Sequence, residues 1–300
     1  MQSRAVQTQN SRGLLHNDLP QIHPFVKWAG GKTQLLSRLD EFIPSGFNQY
    51  FEPFLGGGAM FFHLISNKNI RFTAYLSDLN GELINTYRVI QNDVERLIEV
   101  LKKNENEYKK NPSRYYYELR DYNNPLNDVE RAARLITLNK TCYNGLYRVN
   151  KNGIFNVPMG KYKNPVICDS SKLKKVSSAL LHSKSIIKVA DYKQILFENV
   201  KGNDLVYLDP PYNPTSSTAN FTYYTDYGFD NKDQEDLANI FGRLNDRKCK
   251  VLLSNSDTPF IRKLYHDFSK YIKEIDTLRS INCKGSKRVG HKELLIRNYP

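Results

Sequence analysis

The tetrapeptide Asp209-Pro210-Pro211-Tyr212 contains the residue types needed to orient an aromatic amine. Such an amine is a poor nucleophile, because its lone pair is delocalised into the ring. Two acceptors holding its two N–H groups would aim that lone pair, and the Asp209 carboxylate and a backbone carbonyl can serve as the two. Proline fixes φ and removes a competing donor, while Tyr212 offers a stacking face for a base taken out of a duplex. The pattern favours chemistry at an exocyclic amino group, with a plain proline-rich turn as the alternative.

Three consecutive glycines, Gly56 to Gly58, form a second cluster. Glycines after a strand let the backbone pass close to a ligand and leave a helix N-terminus free. Asp78 follows twenty residues after Gly58, where an acidic side chain can accept hydrogen bonds from ribose hydroxyls. A tight turn followed by a helix-capping aspartate would give the same pattern. A nicotinamide enzyme would also fit, although the run lacks the GxGxxG spacing.

A third cluster lies near the start of the chain, where Trp28 and Lys32 flank a turn of small residues. The run Gly31-Lys32-Thr33 resembles a phosphate-binding loop. A Walker A motif would need glycine at position 26, which is valine here, together with a preceding strand. We therefore reject that interpretation. Trp28 and Lys32 can instead cover an adenosyl group and pair with a carboxylate.

The hydrophobic pattern predicts how these clusters are positioned. A strand over residues 49–54, the glycine loop, a helix over 59–65 and a strand over 71–76 form the opening of a doubly wound sheet. A strand over 204–208 places the tetrapeptide at the carboxyl edge of that sheet, where ligands bind. Further strands are predicted over residues 185–189, 250–253, 271–275 and 294–296, and helical stripes mark Leu83–Tyr87, Val94–Leu101, Ala132–Ile136 and Leu237–Leu244.

The middle of the chain is strongly basic. Residues 101–200 hold 19 lysines and arginines against 9 acidic residues, so +10 of the net charge of +13 lies there. Many of the 20 tyrosines stand beside these cations, which suits contacts to phosphates and stacking on bases. We predict a helical, basic insertion that binds a polyanion, although charge alone does not separate DNA from RNA or an acidic protein.

Bulk composition excludes several other classes of protein. The chain has 300 residues, of which 40% are hydrophobic, enough for one large α/β domain or one domain with an insertion. Four scattered cysteines form no CxxC pair, so a zinc site and a disulfide framework are not predicted and a reducing cytosol fits. No stretch is long and apolar enough to cross a bilayer, and residues 1–18 lack the apolar core of a signal peptide.

The three clusters, in this order, resemble the Dam family of DNA adenine-N6 methyltransferases that act at GATC. The resemblance extends from about Phe25 to the C-terminus. It rests on the segments 25–32 (FVKWAGGK), 51–58 (FEPFLGGG), 143–150 (YNGLYRVN), 155–158 (FNVP), 209–212 (DPPY) and 253–256 (LSNS). The order of motifs, with the glycine loop before the insertion and the tetrapeptide after it, is similar to the α class of amino-methyltransferases.

The resemblance implies roles for particular residues. S-adenosylmethionine would contact Trp28, Lys32, Phe54, Gly56, Gly58, Asp78 and Asp209. Asp209 and Pro210 would orient the amine of a flipped adenine, and Tyr212 would stack on that base. On the DNA side, Tyr143 and Asn144 would insert near the vacated space, Arg148 would contact guanine O6 and N7, Leu146 and Pro158 would pack on a thymine methyl, and Lys27 would touch the first guanine. Ordinary hairpin packing remains open for Leu146 and Pro158, and a phosphate contact for Lys27. Tyr147 has no implied role and departs from some relatives.

We therefore expect an α/β fold, a doubly wound Rossmann-like methyltransferase sheet with a helical DNA-recognition insertion. Residues 23–80 and 181–300 would form the catalytic domain, 81–180 the target-recognition insertion, and 1–22 a flexible leader. The expected partner is double-stranded DNA and the expected cofactor S-adenosylmethionine without a metal, in a monomer of the cytoplasm of a bacterium or archaeon or encoded by a phage. Membership of a restriction-modification system stays open.

Three alternatives remain on sequence grounds. A cytosine-N4 methyltransferase shares the chemistry. A protein- or RNA-directed amino-methyltransferase could use a similar tetrapeptide, although asparagine usually leads it in the protein-glutamine enzymes. A non-enzymatic DNA-binding module would explain the charge but not the glycine loop and tetrapeptide together. The absence of a Pro-Cys nucleophile argues against methylation at cytosine C5.

Overall fold

The computed structural model describes residues 21–32, 36–67, 72–122, 124, 126–214, 228–277 and 291–300. Most of the predicted leader, Thr33, Arg71 of the second predicted strand and Cys283 lie outside these ranges. Ile22, which the prediction assigns to the leader, is buried, and its N–H donates to Ser66 Oγ at 3.0 Å. This residue is therefore part of the packed core.

Seven strands of the described chain form one sheet, ordered β3-β2-β1-β4-β5-β7-β6. The pairs from β3 across to β5 are parallel, and β7 is antiparallel to both β5 and β6. The strands are β1 (Gln49–Glu52), β2 (Thr73–Asp78), β3 (Ile186–Val189), β4 (Leu205–Leu208), β5 (Lys250–Ser256), β6 (Ile272–Thr277) and β7 (His291–Arg297). The strand order reverses between β1 and β4, and ligands bind outside the carboxyl ends of strands at such a point. The doubly wound α/β class is confirmed.

Helices cover both faces of the sheet. They are α1 (Leu36–Leu39), α2 (Ala59–Asn67), α3 (Gly81–Asn92), α4 (Val94–Lys110), α5 (Pro112–Arg120), α6 (Asp128–Thr141), α7 (Ser170–His182), α8 (Tyr192–Glu198), α9 (Asn231–Asp246) and α10 (Pro259–Leu264). Short 3-10 turns lie at Asp40–Phe42, Tyr143–Gly145 and His266–Tyr271. Within the described ranges, every helix is too short or too polar to span a membrane.

The core divides into two layers because successive strand side chains point to opposite faces of a sheet. Tyr50 and Tyr207 belong to the first layer, which includes residues of α2 to α7. Their neighbours Phe51 and Val206 belong to the second, which includes residues of α8, α9 and α10. The central strands β1 and β4 are accordingly buried almost throughout, as expected for parallel strands covered on both sides.

The predicted strands lie close to the observed ones, with two differences that have physical causes. β1 ends at Glu52 rather than at residue 54, because Pro53 cannot donate a ladder hydrogen bond. β5 continues through Ser254 and Asn255 to Ser256 rather than stopping at Leu253. These polar side chains are buried and find partners inside the protein, so their polarity does not end the strand.

The predicted insertion corresponds to the helices α3 to α7 between β2 and β3. A capping box between Asn127 and Glu130 begins α6, and Pro112 occupies the first turn of α5, where its missing N–H costs nothing. Buried side chains of these helices share one cluster with the sheet, among them Leu83, Leu97, Ala132 and Leu173. The proposed division into domains stays a prediction.

Candidate active site

The glycine loop after β1 folds tightly against α3. Gly56 and Gly58 both have positive φ, at 47° and 67°, which glycine adopts readily. A Cβ on Gly58 would lie 2.7 Å from the Tyr87 hydroxyl oxygen, so a larger residue would displace that side chain. The same hydroxyl donates to the Gly56 carbonyl at 3.1 Å. Close packing therefore requires glycine here and fixes the course of the loop.

Asp78, at the end of β2, lies beside this loop as the sequence predicts. Its two carboxylate oxygens accept hydrogen bonds from the N–H groups of Gly56 and Asn80, each at 2.9 Å. Burial raises the pKa of Asp78, although these hydrogen bonds favour its ionised form. An incoming hydroxyl donor or positive charge would further stabilise the carboxylate.

Asp209 directly follows β4 at the same edge. Its Oδ1 is 2.9 Å from Lys32 Nζ and accepts a hydrogen bond from Ser254 Oγ, also at 2.9 Å. Lys32 is buried and also donates to the Gly30 carbonyl at 2.7 Å. Both contacts fall on one carboxylate oxygen, and no described residue donates to Oδ2. The structure thus brings Lys32 and Asp209 together and leaves one oxygen of the acid open.

The backbone after Asp209 is held by a buried polar network. Gln234 Nε2 donates to the Pro211 carbonyl at 2.9 Å, and Gln234 Oε1 accepts from Asn255 Nδ2 at 3.0 Å. Asn255 Oδ1 accepts from the Asn213 N–H at 3.1 Å, and Ser256 Oγ donates to the Asn213 carbonyl. The Pro210 carbonyl accepts no hydrogen bond from the described residues. The network fixes the turn while leaving this carbonyl available.

Tyr212 lies beside the ion pair of Lys32 and Asp209. Its ring centroid is 4.6 Å from Lys32 Nζ, and its hydroxyl donates to Glu293 Oε2 on β7 at 3.0 Å. Burial, followed by the negative charges of Asp209 and Glu293, raises the pKa of Tyr212 well above its usual value. The side chain is therefore a neutral, anchored ring.

Trp28 and Phe54 lie in different layers of the molecule. Trp28 packs against the first core layer and covers the glycine loop, because a Cβ on Gly56 would be 2.8 Å from its Cδ1. Phe54 packs against the second layer, where its ring centroid lies 5.1 Å from that of Tyr192 and 5.9 Å from that of Phe229. Of these two predicted cofactor residues, Trp28 packs against the glycine loop, whereas Phe54 packs against the second core layer.

The segment 142–159, here called the hairpin, holds the predicted DNA contacts. Bridges between Cys142 and Met159 and between Val149 and Phe155 join its two arms. Tyr143, Asn144, Arg148 and Pro158 are exposed, whereas Leu146 is half-buried and packs against the core. Arg148 Nε donates to Asn156 Oδ1 at 2.7 Å, which orients its guanidinium. The structure therefore places these predicted residues on one hairpin, with four of the five exposed.

Lys27 lies against the base of the hairpin. Its N–H donates to Asn139 Oδ1 at 2.9 Å, and Asn139 Nδ2 donates back to its carbonyl at 2.8 Å. A Cβ on Gly145 would be 2.7 Å from Lys27 Cδ, so the two segments are in close contact. The exposed Lys27 Nζ lies 5.4 Å from the centroid of the Tyr162 ring.

Residues 28–281 match the sequence profile of a family described as "D12 class N6 adenine-specific DNA methyltransferase". The chain belongs to this family. The match covers the glycine loop, the insertion and the tetrapeptide, so the resemblance to adenine-N6 methyltransferases is confirmed. Assignment to an adenine-specific DNA-methylating class decides against the cytosine-N4 enzyme and the non-enzymatic module. Because the family transfers methyl groups, membership also implies use of S-adenosylmethionine.

Three curated relatives align with nearly the whole chain. The type II methyltransferase M.MjaIII of Methanocaldococcus jannaschii is 46% identical over 294 residues, which cover 93% of this chain and 100% of that protein. M1.LlaDCHI of Lactococcus lactis subsp. cremoris, also named a type II methyltransferase, is 40% identical over 95% of this chain and 99% of its own. A DNA adenine methylase of Serratia marcescens is 31% identical over 91% and 98%, respectively.

Glu52 is a residue of this D12-class site that the sequence interpretation missed. It ends β1, is fully enclosed, and its Oε2 accepts hydrogen bonds from Tyr50 Oη at 2.8 Å and from the Phe61 N–H at 3.2 Å. Burial raises its pKa to about 8, and the negative charges of Asp209 and Asp78 contribute in the same direction. Its position beside Pro53 and the glycine loop was the available signal.

The three carboxyl groups at this edge of the sheet fit S-adenosylmethionine, which carries a positive sulfonium, an ammonium group and ribose hydroxyls. Glu52, Asp78 and Asp209 all lie at the carboxyl ends of neighbouring strands. Burial raises the pKa of both Glu52 and Asp78, so a nearby positive charge would favour their ionised forms. Among the described residues, no group of three or more His, Cys, Asp or Glu side chains could hold a metal ion.

Proposed function

We propose that this D12-class enzyme methylates N6 of an adenine that has rotated out of double-stranded DNA, within the sequence GATC. The arrangement around Asp209 supports this most directly. Lys32 and Ser254 hold one carboxylate oxygen, while the other oxygen and the Pro210 carbonyl accept no hydrogen bond from the described residues. Two acceptors at one turn match the two N–H groups of an adenine amine.

In the proposed mechanism, Asp209 Oδ2 and the Pro210 carbonyl accept the two N–H groups and aim the nitrogen lone pair. The Asp209 carboxylate stabilises the positive charge that develops on nitrogen as the bond to the methyl carbon forms and the methyl–sulfur bond breaks. The nitrogen then loses one of its two N–H protons, which Asp209 Oδ2 is placed to accept and pass to solvent. Lys32 and Ser254 keep the carboxylate in place, so little reorganisation is needed during the reaction. Tyr212 supplies a stacking face for the flipped base, held at its hydroxyl by Glu293.

We assign the cofactor to the loop between β1 and α2. S-adenosylmethionine, when bound, supplies the methyl group. Asp78 would accept from its ribose hydroxyls, while Gly56 and Gly58 allow close approach of the backbone and Trp28 covers the loop. Lys32, Phe54 and Asp209 complete the proposed contact set, with Phe54 acting from the aromatic cluster behind the loop. No metal is proposed for the reaction.

On the DNA side, the proposal assigns base contacts to the hairpin. Arg148 would contact guanine O6 and N7 with a guanidinium that Asn156 already orients. Tyr143 and Asn144, exposed in the turn that follows Cys142 at the base of the hairpin, would enter the space left by the flipped base, and Asn144 has a left-handed φ of 56°. We assign Leu146 and Pro158 to packing on a thymine methyl. Lys27 is assigned to the first guanine.

The proposal also covers the setting in which the enzyme acts. We propose a monomer in the cytoplasm, where the DNA substrate is found. Two relatives are named type II methyltransferases and a third a DNA adenine methylase. The basic insertion, with +10 of the net charge, supports binding to double-stranded DNA.

The target sequence is tested by methylating a plasmid with labelled S-adenosylmethionine. We expect incorporation of label, protection against an endonuclease blocked by adenine methylation at GATC, and N6-methyladenine as the labelled nucleoside after digestion. Incorporated label with unchanged cleavage at GATC would show that the target is another sequence. A plasmid lacking GATC is the matched control and should remain unlabelled.

A further inference from the structure

Tyr147 links the hairpin to the N-terminal segment of the site. Its ring stacks on Trp28, with centroids 5.2 Å apart and planes 29° apart. On the hairpin it meets Phe155 edge to face at 5.8 Å. The residue immediately after it is Arg148, the proposed guanine contact. A ring next to the DNA-contacting side chain is thus in contact with the residue that covers the cofactor loop.

Trp28 occupies the space between Tyr147 and the glycine loop. A Cβ would lie 2.8 Å from Trp28 Cδ1 if built on Gly56, and 3.4 Å from Trp28 Cβ if built on Gly57. Aromatic rings at the centroid distance of Tyr147 and Trp28 attract each other beyond the effect of burying their area. A displacement of Tyr147 therefore changes the packing on Trp28, and a displacement of the loop changes it from the other side.

Backbone contacts join the same two regions. Asn139 is buried and binds Lys27 through both backbone groups, and its Nδ2 also donates to the Gly145 carbonyl at 3.0 Å. The segment before Trp28 and the turn before Tyr147 are thus held by one side chain. The hairpin cannot shift far without moving the segment that carries Trp28.

The link continues from Trp28 to the catalytic acid. The Gly31 N–H donates to the Trp28 carbonyl at 3.2 Å and closes a turn. Lys32 follows this turn, donates to Gly30 and pairs with Asp209. Five consecutive residues after Lys27 therefore connect the hairpin, the glycine loop and the Asp209 carboxylate through direct contacts.

We propose that Tyr147 is a positioning residue that couples DNA binding to cofactor binding through Trp28. This inference rests on the proposed function, because it needs the cofactor at the glycine loop and DNA at the hairpin. DNA that orders the hairpin fixes the Tyr147 ring, which holds Trp28 over the loop and favours the cofactor-binding arrangement. By thermodynamic linkage, the cofactor favours DNA binding by the same factor.

The sequence contains one tryptophan, so Trp28 emission reports on this link directly. S-adenosylhomocysteine, the cofactor product, should change the emission of wild-type protein and of the Tyr147→Leu variant. A duplex that the wild-type enzyme methylates should change it in wild type but much less in Tyr147→Leu. No response to S-adenosylhomocysteine would contradict the cofactor assignment itself. A response to S-adenosylhomocysteine with equal DNA responses in both proteins would overturn the coupling alone.

The coupling factor is measured as the ratio of the S-adenosylhomocysteine Kd without and with that duplex. We expect at least about fivefold in wild type, within the usual range for coupled sites. Tyr147→Leu should reduce the factor to about one, whereas Tyr147→Phe, which keeps the ring, should retain it. Tyr117→Leu on α5 removes an exposed ring that packs on Tyr116 rather than on Trp28, and it should also retain the coupling factor. A factor of about one in wild type, an unchanged factor in Tyr147→Leu, or equal losses in the leucine and phenylalanine variants would overturn the proposal.

Discussion

The turn after β4 and the hairpin are built in opposite ways. Side chains behind the catalytic turn are enclosed, with Gln234 1% and Asn255 0% exposed, and they bond one another. On the hairpin, Tyr143 near the base is 46% exposed and Ile154 near the tip is 44% exposed, and isolated bridges join the two arms. In the proposed function, the turn that aims the amine has its acceptors fixed in place by this network. Binding DNA instead needs polar groups that can exchange water for bases and phosphates.

The strongest test of this comparison removes the acceptor itself. Asp209→Ala should lower the methylation rate by about three orders of magnitude or more, because the amine loses both its acceptor and the charge that stabilises it. The variant should still fold but with a lower thermal unfolding midpoint, because the buried Lys32 ammonium loses its carboxylate partner. Single-turnover methylation of a duplex measures the rate. Asp246→Ala, an exposed change at the end of α9, is the control, and retained activity in Asp209→Ala would exclude the mechanism.

A second test concerns the buried carboxyl group of Glu52 at the end of β1. The pKa of Glu52 is raised from 4.5 to about 8 in the folded protein, chiefly by burial. The folded state therefore keeps a proton that the unfolded state releases as pH rises above 4.5. The stabilising effect of this proton is complete below that pH and is lost progressively up to about pH 8. Within the window, the unfolding free energy should fall by up to about 1.4 kcal/mol per pH unit.

Glu52→Gln should remove this contribution, because an amide does not ionise. Urea unfolding at a series of pH values should then show a flatter slope for the variant between about pH 5 and 8 than for wild type. Glu235→Gln, on the exposed side of α9, is the matched control and should follow the wild-type slope. Parallel curves for wild type and Glu52→Gln would show that Glu52 is ionised throughout.

A third test separates the polar network from the DNA-binding surface. Gln234→Leu has a similar volume but loses the hydrogen bonds to the Pro211 carbonyl and to Asn255. Small displacements of reacting groups can cost on the order of a hundredfold in rate, so we expect kcat to fall by about 10- to 100-fold. The Kd for the duplex should change by less than about twofold, as the hairpin is untouched. Gln194→Leu on the exposed side of α8 is the control, and a weakened DNA Kd with normal kcat would contradict the assignment.

Features that are set by the adjoining stretch of sequence could be predicted from the sequence. The glycine loop, Asp78 and the tetrapeptide each follow an apolar strand, so their place at the carboxyl edge could be inferred before any contact was known. The ion pair between Lys32 and Asp209 was anticipated in kind, because a lysine after a small-residue turn was expected to meet a carboxylate.

Features that arise from tertiary packing could not be inferred in the same way. Glu52 looks like an ordinary strand residue until Tyr50, Phe61 and the nearby acids enclose it. Gln234 lies on a helix whose sequence shows no preference for the Pro211 carbonyl. Tyr147 had no implied role, because its partner Trp28 is distant in sequence and becomes its neighbour only when the insertion packs beside the glycine loop.

The smallest expected effect belongs to the hairpin. Arg148→Lys keeps the charge but loses the planar fork that Asn156 orients through Nε and Nη2, so the preoriented contact with guanine O6 and N7 is replaced by that of a flexible ammonium group. We expect discrimination between GATC and a duplex with that guanine replaced to fall by about 1.5 kcal/mol, or roughly tenfold. The salt dependence of binding should be unchanged, because the number of cations is the same.

Relative single-turnover rates on the two duplexes measure this loss of discrimination. Asn156→Ala should also reduce discrimination, because the Arg148 guanidinium would be less ordered. The unfolding free energy should stay within about 0.5 kcal/mol of wild type, as is usual for exposed positions. That combination would distinguish the hairpin from the catalytic turn, where a single lost contact is expected to affect the rate and not the choice of sequence. Unchanged discrimination in Arg148→Lys would assign guanine recognition to another residue.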